Sequence, residues 1–508
     1  MRSEKLSSFR APRPLARSRK YLASAALAAA LLLAEQTSAQ ERSPDPSPSK
    51  IVLVGGTAIN PADGKIIENA VVTINSDTIE SVRTGVTKEE PGAREIDCKG
   101  KFILPGYIDT HVHFFQSGGL FTRPDVVDLT SVVPYAEDHA WVERNLADTL
   151  ARYLRCGITA VVDVGGPMWN FRLRKLTRSK PNAPRIAVAG PLISSVARPQ
   201  LELNGDPPIV KIEIPEQGVQ LVQKLAEHSP DFIKIWYVVN ADNPVEKFRP
   251  VVHAVIQESH RRKLRVAVHA TELEAARVAV EEGAELLVHS VTDKLVDEPF
   301  VRLMKERGTI LTPTLVVFER YARTFANKLE LTPEEKKWGN PEVIASLDVT
   351  KLPADKVPER IKSALADPRP VDERIREVYD IAFKNLKILE DAGVTIATGT
   401  DAGNIGTIHG PAIFREFQLM QEAGLTPMEI LRCTTANAAR VFGGTGSVPS
   451  KTGDATAGVP PGPRIGAIES GKLADLVILN ANPLENIAHT SDIQSVMKNG
   501  VLYTPEAE

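Results

Sequence analysis

An alternation of short apolar runs with amphipathic helical patterns fills the middle of the chain and constrains its fold more than any other feature. Eight runs rich in β-branched residues are predicted strands, at residues 108–113, 159–164, 185–189, 232–237, 264–270, 286–289, 309–317 and 394–399. Helical patterns lie between them, for example at residues 141–154, 272–282 and 378–391. Eight strand–helix units are what a (β/α)8 barrel requires, but a doubly wound open sheet gives a similar alternation. Periodicity alone does not choose between these folds.

Two β-rich segments, residues 51–104 and 465–508, flank this alternating middle. Both contain short β-type runs separated by turns, and Asn499-Gly500 in the second segment is a typical two-residue hairpin turn. A few strands from either segment alone would leave an apolar face and unpaired edges exposed. We therefore predict that both chain ends build one small β-sandwich domain. The middle of this α/β protein, residues 105–440, is expected to form a TIM-type (β/α)8 barrel, with the doubly wound sheet as the alternative.

Two further segments depart from the regular alternation. Residues 318–376 are too long for one connection, and their charged, proline-containing composition predicts extra helices over the barrel mouth. Residues 441–464 are rich in glycine and proline and low in apolar side chains, which predicts a flexible loop between the barrel and the second β segment.

Residues 1–50 differ in kind from the rest of the chain. A basic region that contains Arg10 and Lys20 precedes an apolar stretch at residues 21–34, and small residues follow at positions 37–39. This layout is typical of a secretory signal peptide, so residues 1–39 are predicted to be removed after Ala39, with a proline-rich linker at residues 40–50. We expect a secreted or periplasmic protein. A permanent membrane span is not expected, because the apolar stretch is shorter than the ~20 residues that a bilayer requires.

The charge balance argues against a nucleic-acid partner. The chain has 61 basic and 64 acidic residues, a formal net charge of −3, which supplies no broad field for binding phosphates. Its three cysteines, Cys98, Cys156 and Cys433, are too widely spaced for a zinc-type pair. Any metal must therefore be held by histidine, lysine and carboxylate side chains. A small-molecule substrate is the expected partner, and the composition leaves homo-oligomerisation open.

Four histidines and one aspartate lie at the carboxyl ends of predicted strands. His111 and His113 end the first strand two residues apart, so both side chains face the same way. His269 and His289 end the fifth and sixth strands, and Asp401 follows the last one. Barrel enzymes place their catalytic groups at these strand ends. Nitrogen and oxygen ligands of this kind suit zinc.

Lys234 interrupts the apolar strand at residues 232–237 and is the residue that most needs an explanation. A lysine paired with a buried acid is the simplest interpretation of such a position. Beside two divalent ions, however, an ammonium group is electrostatically disfavoured. In that setting the side chain must be neutral or carry a modification that makes it an anion.

The order of motifs along the chain resembles the amidohydrolase superfamily, in its imidazolonepropionase-like and Xaa-Pro dipeptidase-like branch. The motifs are PGYIDTHVH, DFIKIW, VAVHATE, LVHS, TGTDAG and IGAIESGKLADLVILNANPL, and they span nearly all of residues 51–503. The resemblance implies two divalent metal ions, expected to be zinc, bridged by a carboxylated Lys234. It implies that His111, His113 and Asp401 hold one ion, that His269 and His289 hold the other, and that Asp401 also acts as the general acid/base.

The same resemblance implies hydrolysis of an amide C–N bond in a small molecule, either dipeptide-like or a cyclic amide, by a metal-activated hydroxide. A lactone or ester hydrolase is the alternative, because the same nucleophile attacks either carbonyl. A non-catalytic scaffold is disfavoured, since all six site residues are present. His409, in the sequence IHGP, and Tyr237 are candidate substrate contacts. Dipeptidase-like relatives often carry a tyrosine where this chain has Thr271, which argues against dipeptides in particular.

Overall fold

The computed structural model describes residues 50–85, 92–179, 182–442 and 463–505. The signal peptide predicted at residues 1–39, the linker up to residue 49 and the loop residues 443–462 lie outside these ranges, and they remain predictions. Among the helices of the described ranges, none combines the length and the apolar character that crossing a membrane would require.

Strands form both ends of the described chain, and strands alternate with helices between these ends. In chain order the strands are β1 (Lys50–Asn60), β2 (Lys65–Asn75), β3 (Thr78–Thr84), β4 (Arg94–Asp97), β5 (Phe102–Pro105), β6 (Tyr107–Val112), β7 (Ile158–Asp163), β8 (Arg185–Val188), β9 (Leu192–Ser194), β10 (Ile209–Lys211), β11 (Phe232–Trp236), β12 (Arg265–His269), β13 (Leu286–Val288), β14 (Ile310–Thr312), β15 (Leu476–Leu479), β16 (Ile493–Lys498) and β17 (Val501–Tyr503). The α-helices are α1 (Tyr135–Arg155), α2 (Leu173–Ser179), α3 (Pro215–Ala226), α4 (Val245–Arg261), α5 (Leu273–Glu282), α6 (Glu298–Arg307), α7 (Leu315–Phe325), α8 (Pro333–Trp338), α9 (Pro341–Ser346), α10 (Glu359–Ala366), α11 (Val371–Asp391), α12 (Ala412–Glu422), α13 (Pro427–Arg432) and α14 (Ala438–Phe442).

The two ends of the chain form one mixed sheet of eight strands, called here the terminal sheet. Its hydrogen-bonded order is β17-β16-β15-β5-β1-β2-β3, and β4 also pairs with β1. β5 and β15 join the two chain ends as an antiparallel pair, in which Ile103 lies opposite Ile478. The sequence predicts a sandwich of two sheets, and the observed sheet is continuous because the long strand β1 pairs with β4 along one stretch and with β5 along the next.

β15 links the terminal sheet to the rest of the protein. Its four side chains are fully buried and alternate between two faces. Leu476 and Ile478 pack in the core of the terminal sheet, whereas Val477 and Leu479 pack in the large core formed with the middle of the chain. One short strand therefore contributes to both cores.

The turn at Asn499-Gly500 is present as predicted. These two residues connect β16 to β17, and both have left-handed backbone conformations, with φ values of 51° and 74°. A Cβ atom at Gly500 would lie 1.9 Å from the carbonyl oxygen of Ser76, so this position has no room for a side chain.

The middle of the chain contains only parallel strand pairs among its described strands. They form a three-stranded sheet, β6-β7-β8, and a six-stranded sheet, β10-β9-β11-β12-β13-β14. The eighth predicted run, residues 394–399, forms backbone hydrogen bonds on both sides. The amide of Ala397 donates to the carbonyl of Leu311 in β14 at 2.8 Å, and the amide of Thr110 in β6 donates to the carbonyl of Thr398 at 3.0 Å. Within the described residues β8 pairs with no strand besides β7, so the closed barrel remains a prediction.

The predicted strand at residues 309–317 is wrong beyond Thr312, where β14 ends. Helix α7 begins at Leu315, and the carboxylate of Glu416 accepts hydrogen bonds from the amides of Leu315 and Val316 at 2.9 and 2.8 Å. These bonds satisfy two of the free N–H groups at the start of the helix. The apolar run thus contains a short strand and a buried helix start, which apolar content alone cannot separate.

The segment at residues 318–376 contains extra helices, as its composition predicts. Helices α8, α9 and α10 lie in it. A cluster of apolar side chains packs α9 and α10 against the loops that follow β6 and residue 401, and its buried members include Leu120, Leu347, Ile361, Ile405 and Ile408. This packing holds both loops beside the ends of the parallel strands.

Candidate metal centre

His111, His113 and Asp401 lie together at one end of the parallel strands. His111 is in β6, and His113 follows directly after that strand. The Nε2 atoms of both imidazoles lie 3.3 Å from Oδ1 of Asp401. The amide of Asp401 also donates a hydrogen bond to the carbonyl of His111 at 2.7 Å. Residues almost 300 positions apart are therefore held in direct contact.

His269 and His289 complete a cluster of four imidazoles. β12 and β13 are neighbouring parallel strands, so the histidines at their carboxyl ends are adjacent. The ring centroids of His269 and His289 are 4.4 Å apart, and His289 lies 4.9 Å from His111. His111, His289 and Asp401 each offer one ligand atom, and these three atoms lie within 4.8 Å of one another.

Lys234 lies in β11, next to β12, and lines the same cavity as the histidines. Its side chain is 2% exposed, and its Nζ atom has no hydrogen-bond partner among the described residues. Burial lowers the pKa of Lys234 to about 7, although the charge of Asp401 acts in the opposite direction.

Asp109 connects the two segments that carry the centre. Its carboxylate accepts hydrogen bonds from the amide and hydroxyl of Thr400 at 3.0 and 2.6 Å, and from the amide of His111 at 3.2 Å.

Asp401 and His289 both have left-handed backbone conformations, with φ values of 59° and 75°. Such strain costs about 1–3 kcal/mol per residue and is concentrated at functional sites.

Hydrogen bonds at the Nδ1 atom also orient the imidazoles of His113 and His289. Nδ1 of His113 lies 2.7 Å from the carbonyl oxygen of Gly165, and Nδ1 of His289 lies 2.6 Å from the hydroxyl of Thr314. With Nδ1 engaged in this way, the Nε2 atoms of both rings are left for other ligands. Metal-binding histidines commonly have such partners, which fix the orientation and tautomer of the ring.

Electrostatics favours the neutral imidazole of His111, His269 and His289 and the charged carboxylate of Asp401. Burial lowers the pKa of His111 to about 3 and lowers the pKa values of His269 and His289 well below the usual range. Burial acts to raise the pKa of Asp401, but its interactions with His111 and His113 outweigh burial and lower that pKa well below its usual range. Deprotonated imidazole and carboxylate are the forms that coordinate metal ions.

These residues fit divalent metal ions. His111 Nδ1 and Lys234 Nζ are both buried, and neither has a hydrogen-bond partner in the described ranges. Leaving a buried polar group unsatisfied costs about 1–3 kcal/mol. Coordination would satisfy buried donor atoms of this kind, and the nitrogen and oxygen set is one that zinc accepts.

A cavity of about 380 Å³ opens over the cluster. Besides the six candidate ligands, both apolar and polar side chains line it, and they include Phe115, Gln116, Arg123, Leu192, Trp236, Thr271, Phe318, Tyr321, Arg360 and Asn404. Strand alternation could have identified Trp236, because it lies two residues after Lys234. Arg123 and Arg360 lie in no recognisable motif, and the sequence gives no signal for them.

The two predicted substrate contacts lie elsewhere. Tyr237 is fully buried, and its hydroxyl donates to the carbonyl of Val245 beneath helix α4. Adjacent strand residues face opposite sides, so Tyr237 points away from Lys234 and the cavity. His409 is buried between the hydroxyl of Tyr153 at 2.7 Å and the carbonyl of Gln116 at 2.8 Å, and burial lowers its pKa to about 4. Neither residue lines the cavity.

The sequence model of the amidohydrolase family matches residues 102–449, which include all six candidate ligands. The chain belongs to the amidohydrolase family. The protein is therefore a hydrolase, and its family generally binds divalent metals.

Individual relatives agree with this assignment. The ochratoxinase of Aspergillus niger is 24% identical over 483 residues, which cover 90% of this amidohydrolase and 87% of that relative. A solved structure of an Xaa-Pro dipeptidase with bound methionine matches with a TM-score of 0.65 at 23% identity, covering 90% of this chain and 100% of the other. The structure of A. niger ochratoxinase matches with a TM-score of 0.64 at 20% identity, covering 90% and 96%. These structural likenesses show a shared fold, and the family and its relatives support amide hydrolysis.

Proposed function

We propose that this amidohydrolase cleaves the amide C–N bond of a small, dipeptide-like or cyclic molecule at a centre of two divalent ions, with zinc as the expected metal. The observation that carries the proposal is the meeting of four histidines, one lysine and one aspartate in a single cavity. His111, His113 and Asp401 would hold one ion, and His269 and His289 the other. The names ochratoxinase and Xaa-Pro dipeptidase, borne by its relatives, are consistent with an amide substrate.

Lys234 is proposed to be carboxylated. Its Nζ atom is buried among the candidate ligands and has no hydrogen-bond partner within the described ranges. An ammonium group in this position would repel divalent ions. Reaction of the free amine of Lys234 with carbon dioxide would form an N–C bond and release a proton, and the resulting anionic carboxylate would serve as a metal ligand.

The protein's own groups supply orientation and proton transfer. When bound, the divalent ions would supply Lewis acidity that lowers the pKa of water and polarises a carbonyl group. Asp401 would take the proton from the attacking water and deliver it to the leaving nitrogen. The hydrogen bonds of Asp109 with Thr400 and His111 hold the Asp401 segment against β6, so the proton acceptor is positioned before substrate binds.

Metal-loaded protein should be screened against libraries of dipeptides, N-acyl amino acids, cyclic amides and lactones. We expect cleavage of at least one amide class, loss of that activity on metal removal, and its return on adding zinc. A preference for lactones over every amide would instead assign the centre to ester hydrolysis. Full activity in the chelated protein would contradict the proposed metal centre.

Export is a separate proposal and rests on the sequence of residues 1–39 alone. Cell fractionation should find the protein in the periplasm or medium, with a mature N-terminus after Ala39. An intact leader on a cytoplasmic protein would contradict it.

A further inference from the structure

Two arginines from outside the strand ends line the cavity together with the candidate metal ligands. Arg123 lies in the loop after β6, and Arg360 lies in α10, within the inserted helical segment. Guanidinium groups do not coordinate metal ions, because they remain protonated and offer only donors. Their role in the cavity is therefore not that of metal ligands.

Arg123 uses four of its five guanidinium donors in hydrogen bonds to neighbouring side chains. Its Nε and Nη2 atoms donate to the two carboxylate oxygens of Asp125, both at 2.8 Å, and Nη1 donates to Asn404 and to the hydroxyl of Tyr321. The amide nitrogen of Asn404 donates in turn to the carbonyl of Asp401 at 3.1 Å. Arg123 thus supports the backbone of Asp401 and has its charge balanced by Asp125.

Arg360 is held differently. Its Nη1 atom donates to the carbonyl of Val126 at 3.3 Å, and its guanidinium lies 5.3 Å from the ring centroid of Phe325. Arg360 forms no ion pair with a carboxylate of the described residues within 4.0 Å. Arg360 is exposed and lines the cavity, so the guanidinium donors that bond no described residue are open to solvent and to a ligand.

Asp125, the carboxylate next to the Arg360 partner Val126 in the sequence, is already paired with other arginines. Asp125 is shared, because Arg198 lies 3.4 Å from its second oxygen and stacks over the ring of Trp236 at 5.0 Å. Arg123 and Arg198 therefore share the single carboxylate of Asp125, and Arg360 adds a further positive charge to the lining of the cavity. A cleft with an excess of one charge attracts and orients ligands of the opposite charge.

We infer that the Arg360 part of the cavity binds a free carboxylate of the substrate, with Arg360 as the direct partner. The inference rests on the proposed amide hydrolysis and narrows it to N-acyl amino acids and related compounds that keep an α-carboxylate. Arginine binds carboxylates through two parallel hydrogen bonds, which would fix the amide relative to the metal ligands. Phe115, Trp236 and Phe318 line the cavity for an apolar side chain or acyl group.

The test uses zinc-loaded full-length protein and a panel of N-acetyl amino acids with apolar side chains, each beside its primary amide. Binding is measured by calorimetry, and turnover by acetate release. We expect the acid of at least one pair to bind on the order of 10- to 100-fold more tightly than its amide, as for a charge-assisted hydrogen bond. Arg360→Met should abolish this difference, and Arg360→Lys should restore part of it.

Lys362→Met is the matched control. Lys362 lies on the same helix, is exposed and does not line the cavity, so this variant removes one charge while keeping the acid–amide difference. Equal binding of every acid and its amide, or an unchanged difference in Arg360→Met, would overturn the carboxylate site. Acids that bind with the expected preference while no amide in any library is cleaved would contradict the proposed function and leave the carboxylate site standing.

Discussion

The substitution Ile478→Ala tests whether the terminal sheet and the parallel-stranded middle unfold as one unit. Ile478 is fully buried in β15, lies opposite Ile103 of β5, and contacts no candidate metal ligand. Truncating a buried isoleucine to alanine costs about 2–5 kcal/mol, because apolar contacts are lost and a cavity remains. We expect the upper half of that range, because β15 is hydrogen-bonded to β5 on one side and to β16 on the other, so the backbone cannot easily move to fill the cavity. Such a loss is a large part of a typical stability of about 5–15 kcal/mol.

The positions of the native tryptophans allow unfolding of the middle of the chain to be followed by fluorescence. The four tryptophans, Trp141, Trp169, Trp236 and Trp338, all lie in the middle of the chain and none in the terminal sheet. Urea unfolding followed by tryptophan fluorescence therefore reports on the middle alone. If the two cores are coupled through β15, the substitution should lower the fluorescence midpoint, while metal content and activity without urea stay at wild-type values.

Val501→Ala provides the control in the same sheet. Val501 is 46% exposed, so its truncation should change the free energy of unfolding by no more than about 0.5 kcal/mol. A fluorescence midpoint in Ile478→Ala that matched this control would refute the coupling. The terminal sheet would then be a separate unit attached to an independently stable middle.

Three further predictions concern the centre and the domain organisation. Mature protein should contain close to two divalent ions per chain by elemental analysis, and His111→Ala should lose activity and at least one ion; full occupancy in that variant would refute the ligand assignment. Lys234→Ala should be inactive and partly rescued by added short carboxylates, whereas an unmodified ammonium seen beside two bound metals would rule out the carboxylated bridge. Deletion from Ile465 onward should yield insoluble or unfolded protein although every candidate ligand precedes it, and a soluble, active truncation would show that the chain ends form no common unit.

The candidate centre was accessible from sequence because its geometry follows from simple rules. His111 and His113 share a strand face, and the ends of neighbouring parallel strands bring His269 and His289 together. The same alternation, counted from Lys234, would have placed Tyr237 on the opposite face. The sequence therefore contained the information needed to exclude Tyr237 as a cavity residue.

Other features depend on contacts that no local pattern encodes. Helix α7 begins at Leu315, where the carboxylate of Glu416, 101 residues away, accepts a hydrogen bond from the first amide of the helix. The apolar run at residues 309–317 therefore does not show by itself that its second half is helical. Arg123 and Arg360 reach the cavity because apolar packing fixes the segments that carry them. The direction of such a side chain follows from tertiary packing and cannot be inferred from spacing.

The pairing of β5 with β15 has a consequence for synthesis on the ribosome. The hydroxyl of Tyr107, just beyond β5, donates to the carbonyl of Thr490, 383 residues later in the chain. At typical translation rates of about 5–20 residues per second, this interval lasts roughly 20–80 s. Throughout it, the first five strands carry an edge whose partner has not yet been made, and an open edge of this kind pairs readily with other chains. Nascent chains therefore need protection at their N-terminal strands until almost the last residues emerge.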